Sequence, residues 1–79
     1  MKRKQLTTLD KLSKGQKATI KDIKTTGKLL QKLLDMGFII NTTIEVIRIA
    51  PLYDPIEVKL HNYHISLRKD EAKLIEIYF

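Results

Sequence analysis

The sequence contains no cysteine and no tryptophan, and it has only three glycines and two prolines in 79 residues. Without cysteine the chain can form neither disulfides nor thiolate metal sites, and it has no thiol nucleophile. The glycines lie ten or more residues apart, so the sequence has no glycine-rich phosphate-binding loop. No apolar run approaches the ~18 residues that suggest a membrane-spanning helix. The sequence therefore excludes cysteine-dependent enzymes and metal sites, and it predicts neither a glycine-rich nucleotide site nor a membrane-spanning helix.

The N-terminus is basic, but no apolar stretch follows it. Residues 1–4 read Met-Lys-Arg-Lys, and polar residues including Gln5, Thr7 and Asp10 occupy the place where a signal peptide needs an apolar segment. We therefore expect a cytoplasmic protein. Its length allows one domain, which we place at residues 6–79 behind a flexible tip of residues 1–5.

Positive charge is concentrated in the first part of the chain. Residues 1–32 contain ten basic and two acidic residues, whereas residues 33–79 contain five basic and seven acidic ones. A lysine-rich face can simply be solvated. It can also dock an acidic protein, an anionic lipid surface or a nucleic acid. Composition alone leaves these alternatives open.

The first third of the chain predicts a helical turn followed by a strand. Thr8 can cap a turn that directs Leu9 and Leu12 inward. Residues 17–21 alternate between polar and apolar, which is typical of a half-buried strand. The alternation changes phase after Lys21, which predicts a β-bulge or the end of the strand.

A helix is predicted over residues 28–36. Its apolar stripe consists of Leu29, Leu30, Leu33 and Leu34. Lys28 and Lys32 take the outer side. Gly37 stands where a left-handed residue ends a helix, and Phe38 can then fold back on the last turn in a Schellman-type cap. Gly37 and Phe38 are therefore predicted structural residues.

Strands are predicted on both sides of a proline-bounded loop. Asn41 can adopt positive φ in a turn before the strand of residues 43–50. The apolar positions of that strand switch faces, as at a bulge or a barrel corner. The loop of residues 51–55 follows because proline cannot donate to a sheet ladder.

The clearest local pattern is a β-hairpin. Residues 56–60 and 63–67 both alternate, and His61 and Asn62 form a two-residue turn between them. This register places apolar residues opposite each other on the inner face. A helical turn over residues 70–73 and a strand over residues 74–79 end the sequence, and that last strand could pair with a second copy in a weak homo-oligomer.

Five short strands with one inserted helix indicate a mainly β fold. We expect a small SH3-like barrel of about five strands, one inserted α-helix and short helical turns, because a barrel removes exposed sheet edges. A ferredoxin-like sandwich fits less well, since it needs two long helices.

The polar residues do not form a catalytic set. His61 and His64 have a spacing seen in metal sites, but His64 should lie opposite Lys59, so they are only weak metal candidates beside their interpretation as surface histidines. The acidic residues Asp54, Asp70 and Glu71 are better explained as helix caps or solvated charges than as general acids. We expect neither enzymatic activity nor a bound cofactor.

The proline-bounded loop is the best candidate contact point. Leu52 and Tyr53 should be exposed there, as either loop packing or a binding knob. We group them with Asp54, Lys28 and Lys32 as predicted partner-binding residues. Only five aromatic residues are present, and several should be buried, so a base-stacking platform is poorly supplied and we expect no nucleic-acid partner.

An ordered set of segments resembles the FeoA family over about residues 6–78. The segments are Gln31-Lys-Leu-Leu-Asp-Met-Gly-Phe38, Thr43-Ile-Glu-Val-Ile47, Ala50-Pro-Leu-Tyr-Asp-Pro-Ile-Glu-Val58 and Tyr63-His-Ile-Ser-Leu-Arg-Lys69. Where the family usually has glycine in two of its turns, this chain has Asn41 and Asn62. Asparagine can preserve the shape of such turns, so Asn62 joins the predicted structural residues.

The resemblance implies an SH3-like fold and a role in bacterial ferrous iron uptake. The implied partner is FeoB, a membrane permease with a cytosolic GTPase domain, and the implied location is the cytoplasm, near the inner membrane face. The basic first part of the chain would also favour an anionic membrane surface. An alternative is a stand-alone, transition-metal-responsive domain like the SH3-like domain of metal-dependent repressors.

Overall fold

The computed structural model describes residues 4–79, apart from the side chain of Tyr53. Six strands, two α-helices and two 3-10 turns follow one another along the chain. The strands are β1 (Leu6–Thr8), β2 (Lys17–Ile23), β3 (Thr43–Ile49), β4 (Ile56–Leu60), β5 (Tyr63–Leu67) and β6 (Ile75–Tyr78). The helices are α1 (Gly27–Asp35) and α2 (Lys69–Ala72), and the 3-10 turns are Leu9–Lys11 and Pro51–Tyr53.

All strand pairs are antiparallel, in the order β1-β6-β2-β3-β4-β5. The mainly β class is confirmed, but the sheet has six strands where we expected about five. The missed strand is β1, which pairs with β6 from the other end of the sequence. Gln5 extends this pairing through two backbone hydrogen bonds with Phe79, of 2.8 and 3.0 Å. Gln5, which we placed in a flexible tip, is therefore hydrogen-bonded to the chain just beyond β6. Residues 1–3 of the expected tip lie outside the described residues.

The last strand does not offer a free edge. β6 lies between β1 and β2 and hydrogen-bonds to both. The prediction that this strand could pair with a second copy is therefore wrong, because both of its sides are occupied. The outermost strands of the described sheet are β1 and β5.

The core is aliphatic, with Phe38 as its largest side chain. In the described part of the chain, every fully buried residue is apolar. Leu9 and Leu12 are among these residues, as the turn pattern predicted. Phe79, the last residue of the predicted final strand, is 42% exposed. Small aliphatic cores of this kind leave a domain of this size only modestly stable.

Helix α1 ends in the predicted cap. The Gly37 amide donates to the Leu34 carbonyl at 2.9 Å, and the Phe38 amide donates to the Leu33 carbonyl at 3.1 Å. These two bonds define a Schellman motif, and Gly37 has the positive φ that it requires, +104°. Phe38 is completely buried. Leu34, however, is 39% exposed, so the buried stripe of α1 is narrower than the sequence suggested.

Both predicted changes of phase are bulges. The β2–β6 register shifts between Ile20 and Asp22, and the β3–β4 register shifts between Val46 and Arg48. An extra residue bends the strand and turns the next side chains to the other face. Asn41 adopts φ +73°, as predicted for the turn before β3.

The β4–β5 hairpin has the predicted register, with Leu60 opposite Tyr63 and Ile56 opposite Leu67. Two details differ. The positive φ of the turn falls on His61 (+57°) and not on Asn62. Tyr63 is 62% exposed, because it lies at the end of an edge strand where no further element covers it.

Candidate partner-binding surface

The proline-bounded loop presents one very exposed apolar side chain. Ile49 pairs with Ile56 at the base of the loop, and Pro51 opens the 3-10 turn above them. Leu52 in this turn has φ +66° and is 91% exposed. A left-handed conformation costs a residue with a Cβ about 1–2 kcal/mol. The backbone at Leu52 is therefore strained, and strained residues cluster at binding and active sites.

Asp54 fixes this loop to the start of α2. Its carboxylate oxygen Oδ1 accepts a hydrogen bond from the backbone N–H of Lys69 at 3.0 Å. Glu71 acts at the same helix end, where its Oε1 accepts from the Arg68 amide at 3.1 Å. The expectation that these acids serve as caps is confirmed for both. Asp70 is solvated, with its side chain 96% exposed.

Glu71 also joins α2 to α1. Its second oxygen, Oε2, accepts from the Lys32 ammonium at 3.0 Å. The Lys32 ammonium holds the pKa of the Glu71 carboxyl below its usual range, and the bond from the Arg68 amide acts in the same direction. Lys32 is thus an ion-pair partner, whereas Lys28, one turn earlier, is exposed on the same helix.

These contacts bring most of the predicted partner-binding residues to one side of the molecule. Asp54 connects the loop to α2, and Glu71 connects α2 to Lys32 on α1. We call this region the loop–helix surface; it contains Leu52, Asp54, Lys28 and Lys32. Tyr53 lies in the same 3-10 turn, but its side chain is outside the described part of the structure.

The two histidines have different neighbours. His64 Nδ1 is 3.1 Å from Glu57 Oε2, and His64 faces Lys59 across the hairpin, as predicted. His61 packs edge-to-face on Tyr63, with ring centroids 6.4 Å apart. Within residues 4–79 the structure shows no cluster of three or more histidine or carboxylate side chains.

Sequence reasoning missed a group of exposed apolar residues beyond the end of α1. Ile39 and Ile40 are each 52% exposed, and they follow the Schellman cap directly. Two isoleucines after a helix-ending glycine could have been noticed, but nothing in the sequence separates them from core residues. The outer face of the sheet was also missed, since its lysines are far apart in the sequence.

The family model for the FeoA domain matches residues 7–78. The chain belongs to the FeoA family. Two curated relatives are named as iron transport proteins. The putative Fe(2+) transport protein A of Campylobacter jejuni is 39% identical over 70 residues, which are 89% of this chain and 95% of that protein. The Fe(2+) transport protein A/Fe(2+) transporter FeoB fusion protein of Porphyromonas gingivalis is 36% identical over 69 residues, which are 87% of this chain but only 8% of the fusion protein.

Solved structures agree with this assignment. The iron(II) transport protein A of Clostridium thermocellum is 46% identical, with a TM-score of 0.86 over 89% of this chain and 43% of that one. FeoA of Stenotrophomonas maltophilia, solved with zinc and described as a prokaryotic SH3 domain protein, is 20% identical. It has a TM-score of 0.78 over 89% of this chain and 87% of that one, which shows the shared fold. The expected SH3-like fold is therefore confirmed.

Proposed function

We propose that this FeoA-family protein is a cytoplasmic accessory of ferrous iron uptake that docks on a FeoB-type permease and modulates its assembly or activity. One observation carries the proposal: in the Porphyromonas gingivalis relative, a segment similar to this chain is named as part of one protein with the transporter FeoB. Joining two domains in one chain raises their effective concentration, which is useful when the separate domains work in contact.

The loop–helix surface is the docking site that we propose for this partner. Leu52 is the anchor, because a fully exposed leucine on a braced loop can enter a pocket at little further entropic cost. Asp54 keeps the loop in place through its bond to Lys69. Lys28 adds an exposed positive charge on α1, and this would favour the acidic surface of a partner or an anionic inner membrane face.

The proposal assigns no chemistry to this protein itself. Docking acts through contact, so the permease would carry transport and nucleotide hydrolysis, and this protein would change their rates or the permease's oligomeric state. Among the described residues, no helix is long and apolar enough to cross a membrane.

Docking can be tested with the full permease reconstituted in nanodiscs. We expect the wild-type protein to bind at low salt, as measured by biolayer interferometry, and more weakly at high salt. Leu52→Gly should weaken binding about tenfold or more, as expected for a buried interface anchor. The matched control is Leu6→Thr, which removes another exposed leucine, 53% accessible, on the edge strand β1. Absence of wild-type binding at low salt would refute the proposal, and equal loss in both variants would refute the role of Leu52.

The alternative, a stand-alone transition-metal-responsive domain, predicts different behaviour. Titration calorimetry with iron(II), manganese(II) and zinc(II) should then show a fixed stoichiometry that is lost in His61→Ala or His64→Ala. On the docking proposal, His64→Ala leaves the affinity for the permease unchanged.

A further inference from the structure

The outer face of the sheet carries a row of charged residues that the loop–helix surface does not include. Lys17 on β2 lies opposite Glu45 on β3, and Glu45 lies opposite Lys59 on β4. Adjacent strands are about 4.8 Å apart, so the backbones of Lys17 and Lys59 are separated by about 10 Å. Glu45 stands between the two lysines.

Two adjoining hollows run across this face and share Lys17 and Thr43. One continues toward Lys59 and His61, and the other continues toward Lys4 and Tyr78. We call the combined depression the sheet-face groove. Its lining combines cationic side chains and threonine hydroxyls, which can donate hydrogen bonds to an anion, with the apolar or aromatic residues Ile44, Tyr78 and Phe79.

Four lysines outside the groove lie close to carboxylates. Lys21, Lys24, Lys32 and Lys73 each lie within 4.0 Å of a carboxylate. Lys17 and Lys59 are exposed and form no ion pair within the described part of the chain. Glu45 is the one acidic side chain among the residues that line the groove, beside Lys4, Lys17 and Lys59, so the side chains described there keep a net positive charge.

The shape and lining favour a polypeptide over the other anions that lysines attract. Tyr78 is half-buried, and the Lys4 ammonium covers its ring at 4.6 Å from the centroid, so the ring is not a free stacking surface for bases. A depression that crosses the strands suits an extended chain better than a flat membrane. In a polyproline II chain, residues three apart share a face and are about 9 Å apart, close to the separation of Lys17 and Lys59.

We propose that the sheet-face groove binds an acidic, extended segment of the partner permease, with two carboxylates three residues apart that pair with Lys17 and Lys59. This rests on the proposed docking function and adds a second contact with a different chemistry. Leu52 would provide an apolar anchor, whereas the groove would select the charge pattern of the segment and raise the association rate.

The first test compares two double variants for binding to the permease in nanodiscs. Lys17→Glu/Lys59→Glu reverses the charge of the two groove lysines that are proposed to pair with the segment. Lys11→Glu/Lys14→Glu makes the same change of net charge at exposed positions outside it that form no ion pair in the described part of the chain. We expect the groove variant to bind at least tenfold more weakly and the control variant to bind within about threefold of wild type. Thermal melts verify that both variants are folded. Equal effects of the two variants would overturn the proposal.

The second test does not need the permease. A proline-rich octapeptide with two glutamates three residues apart is titrated into ¹⁵N-labelled protein, beside a control peptide with glutamines. We expect chemical-shift changes at Lys17, Thr43 and Lys59 with the glutamate peptide only. No shifts at millimolar peptide, or equal shifts with both peptides, would overturn the proposal. If the permease fails to bind but the peptide shifts appear, the docking function fails and the acidic-peptide groove stands without this partner.

Nucleic acids and anionic lipid surfaces are the remaining alternative ligands for the groove. A ten-nucleotide thymidine strand and phosphatidylglycerol vesicles are added in the same buffers. If the groove variant loses affinity for either of these while its affinity for the permease stays unchanged, the groove serves that ligand and the proposal is wrong. Unchanged affinity for both ligands, with reduced affinity for the permease, supports it.

Discussion

Replacing Gly37 by alanine should destabilise the domain by about 2–3 kcal/mol. Gly37 has φ +104°, which lies beyond the small left-handed region that residues with a Cβ can occupy, so the backbone contribution is about 1–2 kcal/mol. An added Cβ would also lie 3.2 Å from Leu60 Cδ2 and 3.5 Å from His61 Cδ2. Moving the Leu60 side chain off its rotamer costs roughly 1 kcal/mol more.

This loss is large for a domain of 79 residues. Typical stabilities of about 0.05–0.15 kcal/mol per residue correspond to roughly 4–12 kcal/mol in all. A loss of 2–3 kcal/mol should lower the melting temperature by about 10–20 °C. Valine adds two methyl groups at the same place, and we expect that variant to be largely unfolded at 37 °C.

The matched control is Gly15→Ala. Gly15 also has positive φ, +86°, but a Cβ added there would have no other atom within 4 Å. Its substitution should therefore cost only the backbone contribution. Urea unfolding followed by circular dichroism gives both free energies. If Gly37→Ala is no more destabilising than Gly15→Ala, the contact with Leu60 does not matter and the reasoning is wrong.

Three further predictions concern the bridge between the helices and the strained turns. Glu71→Gln should lower the free energy of unfolding by up to about 1 kcal/mol at pH 7, because it weakens the contact with Lys32. Since Lys32 lowers the pKa of Glu71 in the folded state, the contribution is complete above the unfolded carboxyl's pKa of about 4.3 and is lost as the pH falls through the lower folded value. The difference in urea midpoint between wild type and variant should therefore be larger at pH 7 than at pH 3. Leu52→Gly should leave the melting temperature unchanged or raise it while binding to the permease falls, and a drop of more than about 5 °C would show that Leu52 stabilises the fold. His61→Asn should keep stability within about 0.5 kcal/mol of wild type because asparagine tolerates the positive φ at that position, whereas a larger loss would mean that the His61 ring contacts matter.

Local features were predictable because their causes lie close together in the sequence. The Gly37–Phe38 cap, the bulges of β2 and β3 and the hairpin register each depend on a few neighbouring residues. Strand β1 was missed because three residues carry little pattern, and their partner β6 is about 70 residues away. The exposure of Tyr63 follows from its place at the sheet edge, which alternation alone cannot show.

Sequence reasoning identified some individual residues of the candidate site, but it could not predict which of them lie close together. Leu52 was correctly expected to be exposed, since prolines bound its loop. The pair formed by Lys32 and Glu71 joins residues 39 positions apart, so no local rule could assign it. The sheet-face groove could not be predicted either. Lys17 and Lys59 are placed in one row only by the pairing of β2, β3 and β4.

The position of β6 inside the sheet has a consequence for synthesis. On the ribosome, β1 and β2 emerge long before β6, the strand that lies between them in the sheet. They cannot be joined through β6 until residues 75–78 have left the exit tunnel. The nascent chain therefore cannot complete its sheet stepwise, and a premature stop codon at position 75 would leave β1 and β2 without the strand that lies between them. We expect such truncated chains to be degraded as unfolded polypeptides, not to accumulate as partly active domains.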